Sequence, residues 1–129
     1  MEINTEFLYS TLDTVKNHIV VLDSSFEIVF ANKSWVAFGE QNGVSPDYNW
    51  IGVNYKKPIE QSAATGDEFA IMALKGIKRV SNKECSEFEM EYPCHTATED
   101  RWFAMQINSF DLNDKNFYVV SHQNITKRV

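Results

Sequence analysis

Glu87 to Tyr92 reads Glu-Phe-Glu-Met-Glu-Tyr, charge and large apolar side chain in strict alternation. Successive side chains on a strand face opposite ways, so Phe88, Met90 and Tyr92 share one face and Glu87, Glu89 and Glu91 the other. A strand of this kind belongs to an antiparallel sheet that is covered on one side and wet on the other. Residues 101–110 repeat the pattern: Phe103, Met105 and Ile107 face one way, Trp102, Ala104, Gln106 and Asn108 the other. Asn113 to Asn116 is turn chemistry, and Phe117 to Gln123 reads as a third strand. Its pattern leaves open whether Val119 and Ser121 or Val120 and His122 face inward. Upstream, His18–Asp23 and Phe26–Phe30 are β-branched apolar runs joined by Ser24-Ser25, a hairpin signal.

Helical spacing fills the rest. Leu8, Leu12 and Val15, with Ile3 and Phe7 beside them, predict a helix over 3–16 with Asn17 as a left-handed stop. Asn32 can cap a short helix carrying Trp35, Val36 and Phe38, with Gly39 near its end. Residues 41–57 show no period and carry turn residues; such a segment is a binding loop, a lid or a plain connector. Pro58 suits a first helical turn. Thr65 and Glu68 then fit a capping box for a helix whose stripe is Phe69, Met72, Ala73, Gly76, Ile77 and Val80. Helix, two strands, helices and three strands make an α+β fold: a five-stranded antiparallel sheet with helices on one face and an N-terminal helix. We read 1–129 as one domain, the helix 3–16 preceding a core at 18–126.

Composition narrows the function classes. A chain of 129 residues with 43% hydrophobic side chains can bury a core without staples and is not disordered. A net charge of −6 with no basic patch excludes nucleic acid and disfavours anionic membrane surfaces. No apolar run approaches the ~20 residues of a membrane span. Glu2 and Glu6 stand where a secretory leader would be basic, so the expected location is cytoplasmic. Cys85 and Cys94 flank an extended strand that holds them roughly 30 Å apart, against the ~7 Å a disulfide tolerates. Two cysteines and three histidines match no zinc spacing, so no metal is expected.

The candidate chemistry lies on the apolar wall. Phe69, Met72, Ile77, Phe88, Met90, Tyr92, Phe103, Met105 and Ile107 are expected to converge between helix and sheet. Methionines adapt to irregular shapes, so the wall lines a ligand pocket or simply fills a core. The row Glu87, Glu89, Glu91 reads as a solvated face rather than a cation or acid/base site. Cys94-His95 has no evident third group to orient the imidazole and reads as a hairpin tip, so no catalytic residue is expected. The stripe Ile3, Phe7, Leu8, Leu12 and Val15 packs within the chain or forms a dimer seam that Trp102 could join.

The order of elements resembles a PAS (Per-Arnt-Sim) domain from about Leu12 to Arg128. The residues that carry the resemblance are Thr14–Asp23 with Ile28–Asn32, Glu91–His95 with Arg101-Trp102-Phe103, and Ser121–Arg128. The second group is similar to a bacterial subgroup with a Tyr-Pro-Cys-His hairpin tip. The third resembles the family's Asp-Ile-Thr ending, with Asn124 in place of the aspartate. Thr96-Ala97 likewise replaces a Ser-Pro. The resemblance implies a non-enzymatic sensory module that takes up a small ligand, forms a homodimer and signals to a C-terminal effector. That effector would be a GGDEF diguanylate cyclase or a histidine kinase, with Asn124 and Thr126 at the exit; a stand-alone protein is the alternative. Photoactive relatives carry Asn-Cys-Arg-Phe on a helix, whereas both cysteines here flank a strand. Haem-binding relatives offer a histidine from the long helix, and residues 58–82 contain none. Flavin photochemistry and haem are therefore not expected, His122 reads as a hydrogen-bonded strand histidine, and the cofactor is left open.

Overall fold

The computed structural model describes residues 3–128. Strands β1 (His18–Leu22), β2 (Ile28–Ala31), β3 (Glu87–Pro93), β4 (Trp102–Leu112) and β5 (Lys115–Asn124) form one antiparallel sheet in the order β2-β1-β5-β4-β3. Helices α1 (Thr5–Thr14), α2 (Lys33–Gln41), α3 (Lys56–Ala64) and α4 (Glu68–Ser81) complete the expected α+β arrangement.

Register decides which side chains meet. Phe88 pairs with Ile107, Met90 with Met105 and Tyr92 with Phe103, so the alternating strand does turn its apolar set inward. Glu87, Glu89 and Glu91 lie outside opposite Asn108, Gln106 and Ala104, and Asn108 donates to Glu87 Oε2 at 3.0 Å. For β5 the pairing settles what periodicity left open. Val20 pairs with Val120, Leu22 with Tyr118 and His18 with His122, which places Tyr118, Val120 and His122 on the inner face. The β4–β5 hairpin turns through Asn113 and Asp114 at φ 52° and 63°, a left-handed pair that Asn and Asp tolerate. Val20, Leu22, Ile77, Val80, Ile107 and Val120 are fully buried and form the centre of the core.

Several boundaries differ from the sequence expectation. β2 starts at Ile28 rather than Phe26, because Phe26 adopts φ 66° in a turn closed by Asp23 Oδ1, which accepts from Ser25 N and Glu27 N. α4 is capped by Asp67, whose Oδ1 accepts from Phe69 N and Ala70 N at 3.0 and 3.2 Å; Thr65 instead closes α3. The buried stripe of α4 is Ala70, Ala73, Gly76, Ile77 and Val80. Small residues at 70, 73 and 76 let the helix approach a sheet already thick with Phe88 and Met90. That rotation leaves Met72 outside, at 48% exposure, and not between helix and sheet as expected. α1 ends on Val15 in extended conformation, so Asn17 is no left-handed stop.

Two tethers fix the periphery. Asn32 is fully buried: its Oδ1 accepts from Ile19 N and Trp35 N, both at 3.0 Å. Its Nδ2 donates to Leu12 O, Val15 O and Asn17 O at 3.0, 3.3 and 3.0 Å, tying the end of α1 to β1 and α2. The segment after α2 is stitched to β2. Ile28 N donates to Val53 O, Gly52 N to Ile28 O and Tyr55 N to Phe26 O, at 2.8–2.9 Å. Asn54 Oδ1 then accepts from Lys56 N and Lys57 N and starts α3.

Candidate functional site

Between the inner face of the sheet and the helices lies a cavity of about 530 Å³. The sheet contributes Met90, Tyr92, Met105 and His122; α2 contributes Trp35; α4 contributes Phe69, Ala70 and Ala73. The stitched segment brings Trp50, Val53 and Tyr55. The size and the mostly apolar walls suit a small organic molecule. A smaller cavity of about 260 Å³ adjoins it, sharing Trp35, Trp50, Tyr92 and His122 and reaching His18, Cys94 and Phe103.

The polar centre is a chain of three side chains. Tyr55 Oη lies 2.8 Å from His122 Nε2, and Tyr92 Oη 2.6 Å from His122 Nδ1. Both imidazole nitrogens are thereby engaged. Burial, and secondarily the charge of His18, pushes the His122 pKa down to about 4 from 6.5. Burial raises both phenols above their ordinary range; each is raised further by a neighbour, Tyr92 for Tyr55 and Cys94 for Tyr92, while Arg101 works the other way on Tyr92. At neutral pH all three groups are uncharged. Trp35 packs beside them, its ring 5.9 Å from that of His122 and edge-on to Trp50 at 5.5 Å. Its Nε1 is buried with no hydrogen-bond partner among the described residues.

A pH dependence of stability follows. The unfolded His122 titrates near 6.5 and the folded one near 4, so unfolding takes up a proton between those values. The contribution of neutral His122 is complete above about pH 6.5 and falls by about 3 kcal/mol as pH drops through 4. His18, also lowered by burial, acts in the same direction. Urea denaturation at pH 7, 5.5 and 4 should show the parent losing stability relative to His122→Gln. Parallel curves would overturn the assignment.

The residues singled out in the sequence divide by position. Phe69, Met90, Tyr92 and Met105 line the larger cavity, and Phe103 the smaller. Ile77 and Ile107 are buried in the core away from it, and Phe88 is half-buried against Gly76. Met72 lies outside. Ile3, Phe7 and Leu8 are exposed, whereas Leu12 and Val15 are half-buried beside Asn32. Trp102 is edge-on to Phe69 at 6.5 Å and pairs with the end of the chain: its N donates to Thr126 Oγ1 and its O accepts from Ile125 N. Asn124 Oδ1 accepts from Thr126 N at 3.0 Å. At the hairpin tip, Arg101 N donates to His95 Nδ1 and Arg101 Nε to Cys94 O, so Cys94 and His95 hold the turn. Both cysteines are free thiols. Trp35, Trp50, Tyr55 and His122 were not expected at the site; the aromatic content of 48–55 was the available signal for Trp50 and Tyr55. Among the described residues no helix is long and apolar enough to cross a membrane, and no group of three metal-ligating side chains comes together.

The fold is that of PAS domains. A PAS domain from Colwellia psychrerythraea superposes with TM-score 0.60 at 20% identity, covering 95% of this chain and 98% of that one. The PAS domain of Bordetella pertussis BvgS gives 0.60 at 16% identity over 95% and 87%. A PAS domain of a two-component sensor histidine kinase gives 0.56 at 10% identity over 92% and 94%. No protein-family model matches. An uncharacterised 104.1 kDa protein of Rhodobacter capsulatus is 32% identical over 127 residues, 96% of this chain; the chain spans 13% of that relative's length.

Proposed function

We propose that residues 1–129 are a sensory module that binds a small molecule in the 530 Å³ cavity and passes its occupancy to an attached effector. The observation that carries this reading is the cavity itself, walled by rings and methionines around an uncharged Tyr55–His122–Tyr92 chain. A ligand shifts a conformational balance only by binding one state more tightly. The exit would be the Asn124–Thr126 knot beside Trp102, which closes the sheet next to Phe69 on the cavity wall. The 104.1 kDa relative, of which this chain matches 13%, supports a place within a longer protein. Its effector would be a histidine kinase, as in one structural neighbour, or a GGDEF cyclase. We assign the Tyr92–His95 tip to the bacterial subgroup it resembles and place the module in the cytoplasm.

A second reading, a ligand-free dimerisation module, draws on α1, where no residue is buried and Phe7 and Leu8 are 40% and 52% exposed. Native mass spectrometry of the purified chain separates the two. The sensory reading expects a dimer carrying a small-molecule adduct that denaturation releases. A bare dimer favours the second reading. A bare monomer with no thermal shift across a metabolite panel sinks both.

A further inference from the structure

The walls of the larger cavity grade from buried to open. Ile28, Ala73 and Met105 are buried at its inner end, whereas Pro58 and Ser62 of α3 and Asp67 and Phe69 at the start of α4 are exposed and form its mouth. A ligand therefore meets two environments. Its inner part lies among rings, methionines and the uncharged Tyr55–His122–Tyr92 chain, where an ion would lose its water and find no counter-charge. A charged group on the ligand belongs at the mouth, where it stays partly hydrated.

The mouth discriminates by sign. No lysine or arginine lines the cavity among the described residues, and Lys56 of α3 lies outside it, 4.9 Å from the centroid of the Phe26 ring. Asp67 is the one carboxylate on the described wall, and Glu68 beside it adds a second negative charge. Asp67 Oδ1 accepts from Phe69 N and Ala70 N; its Oδ2 has no hydrogen bond or ion pair among the described residues. Capping does not demand the charge, because asparagine and serine cap a helix as well as aspartate does. The start of a helix attracts anions through its free N–H groups, but here Asp67 already occupies two of them. A second anion would face that carboxylate unpaired. A cation would find Oδ2 open and the partly exposed Phe69 ring next to it, and aromatic rings attract cations.

We propose that the cavity takes a small amphipathic cation: an apolar, ring-containing body seated against Met90 and Met105, with an ammonium group left at the mouth against Asp67 Oδ2 and the Phe69 ring. The proposal rests on the reading of this cavity as a binding site and specifies its ligand class.

Three two-ring probes test it: (2-naphthyl)methylamine, a cation at neutral pH, the isosteric 2-naphthylmethanol, and 2-naphthoate. Binding to the intact chain is followed by ligand-detected NMR and calorimetry. The amine should bind about three- to fivefold more tightly than the alcohol, the worth of a partly exposed ion pair, and the naphthoate should bind most weakly. The deciding quantity is the ratio of amine to alcohol affinity, because a change in cavity shape or in stability acts on both probes alike. That ratio should fall to unity in Asp67→Asn, which keeps an oxygen for the cap and removes the charge, and should shrink likewise between about 0.01 and 1 M salt. In Glu89→Gln, which removes the same charge from the outer face of the sheet, the ratio should keep its parent value. A parent ratio of unity, or a ratio that survives Asp67→Asn, overturns the ligand class and leaves the pocket standing. A ratio lowered equally by Glu89→Gln traces the preference to the net charge of the chain and overturns the pairing with Asp67. Tightest binding of the naphthoate overturns the class in favour of an anion site at the start of α4. Binding of none of the three overturns the ligand class and the binding-site reading together.

Discussion

Asn32→Leu is expected to lower stability by at least about 3 kcal/mol at pH 7, read from urea denaturation. Leucine repeats the branching of asparagine and is the larger of the two, so no cavity forms and crowding only adds to the loss. The main loss comes from three backbone groups that lose their partner at once, the N–H groups of Ile19 and Trp35 and the carbonyl of Asn17; the carbonyls of Leu12 and Val15 keep Val15 N and Ser34 Oγ. Buried donors and acceptors left unmade cost about 1–3 kcal/mol each, and water reaches some of these on the α1 side. Asn32→Asp isolates the donor half. An aspartate keeps an oxygen for Ile19 N and Trp35 N but turns its second oxygen toward three carbonyls. Ionisation is then opposed by burial and by those dipoles, which raises the folded pKa above the ordinary 3.9. The deficit relative to the parent should therefore be largest at neutral pH and shrink as pH falls toward 4. A leucine variant within about 0.5 kcal/mol of the parent would show that the network is ornamental. The consequence reaches beyond stability, because Asn32 joins the end of α1 to the start of the helix that carries Trp35. One side chain thus anchors both the N-terminal helix and a wall of the cavity.

That node was visible in the sequence only as a helix cap. Asn32 before an amphipathic turn predicts its bond to Trp35 N; nothing local predicts four further partners lying 13 to 20 residues away. The same division runs through the molecule. β3 and β4 were legible, facing included, because charge alternates with apolar bulk and only one assignment buries the bulk. β5 was not, because Val119 and Val120 suit either face; the choice is made by its pairing with β1. In α4 the stripe Ala73, Gly76, Ile77 and Val80 was legible, and its N-terminal edge was not. Phe69 and Met72 are larger than Ala70, so a hydrophobicity argument turns them inward, while close packing on a crowded sheet selects the small Ala70. The cavity inherits both effects. Met90, Tyr92 and Met105 were in the predicted wall. Tyr55 and Trp50 come from an aperiodic segment whose position is fixed by backbone bonds to β2, and His122 depends on the phase of β5.

Gly76→Ala is expected to destabilise the fold by about 2 kcal/mol or more, although alanine is the better helix former. A Cβ at Gly76 would overlap the Phe88 ring at Cγ, Cδ2 and Cε2, which means that the ring lies flat on the helix backbone. The overlap includes Cγ, so moving the far end of the ring does not relieve it. Either α4 lifts from the sheet or Phe88 swings into solvent and gives up its place against the core. The intrinsic gain of about 1 kcal/mol from replacing a helix-interior glycine opposes this without cancelling it. Removing the ring reverses the balance. In a Phe88→Ala background the same substitution no longer meets the ring and should stabilise by about 0.5–1 kcal/mol, a change of sign within one double-mutant cycle. A neutral or stabilising Gly76→Ala in the parent would mean that helix and sheet are not in close contact there. The contact matters for the cavity because Ala70 and Ala73, on the same buried stripe, form part of its wall. Lifting α4 at position 76 opens the floor on which a ligand would rest, so weaker probe binding in Gly76→Ala, restored in the double variant, would tie the seating of this helix to the shape of the site.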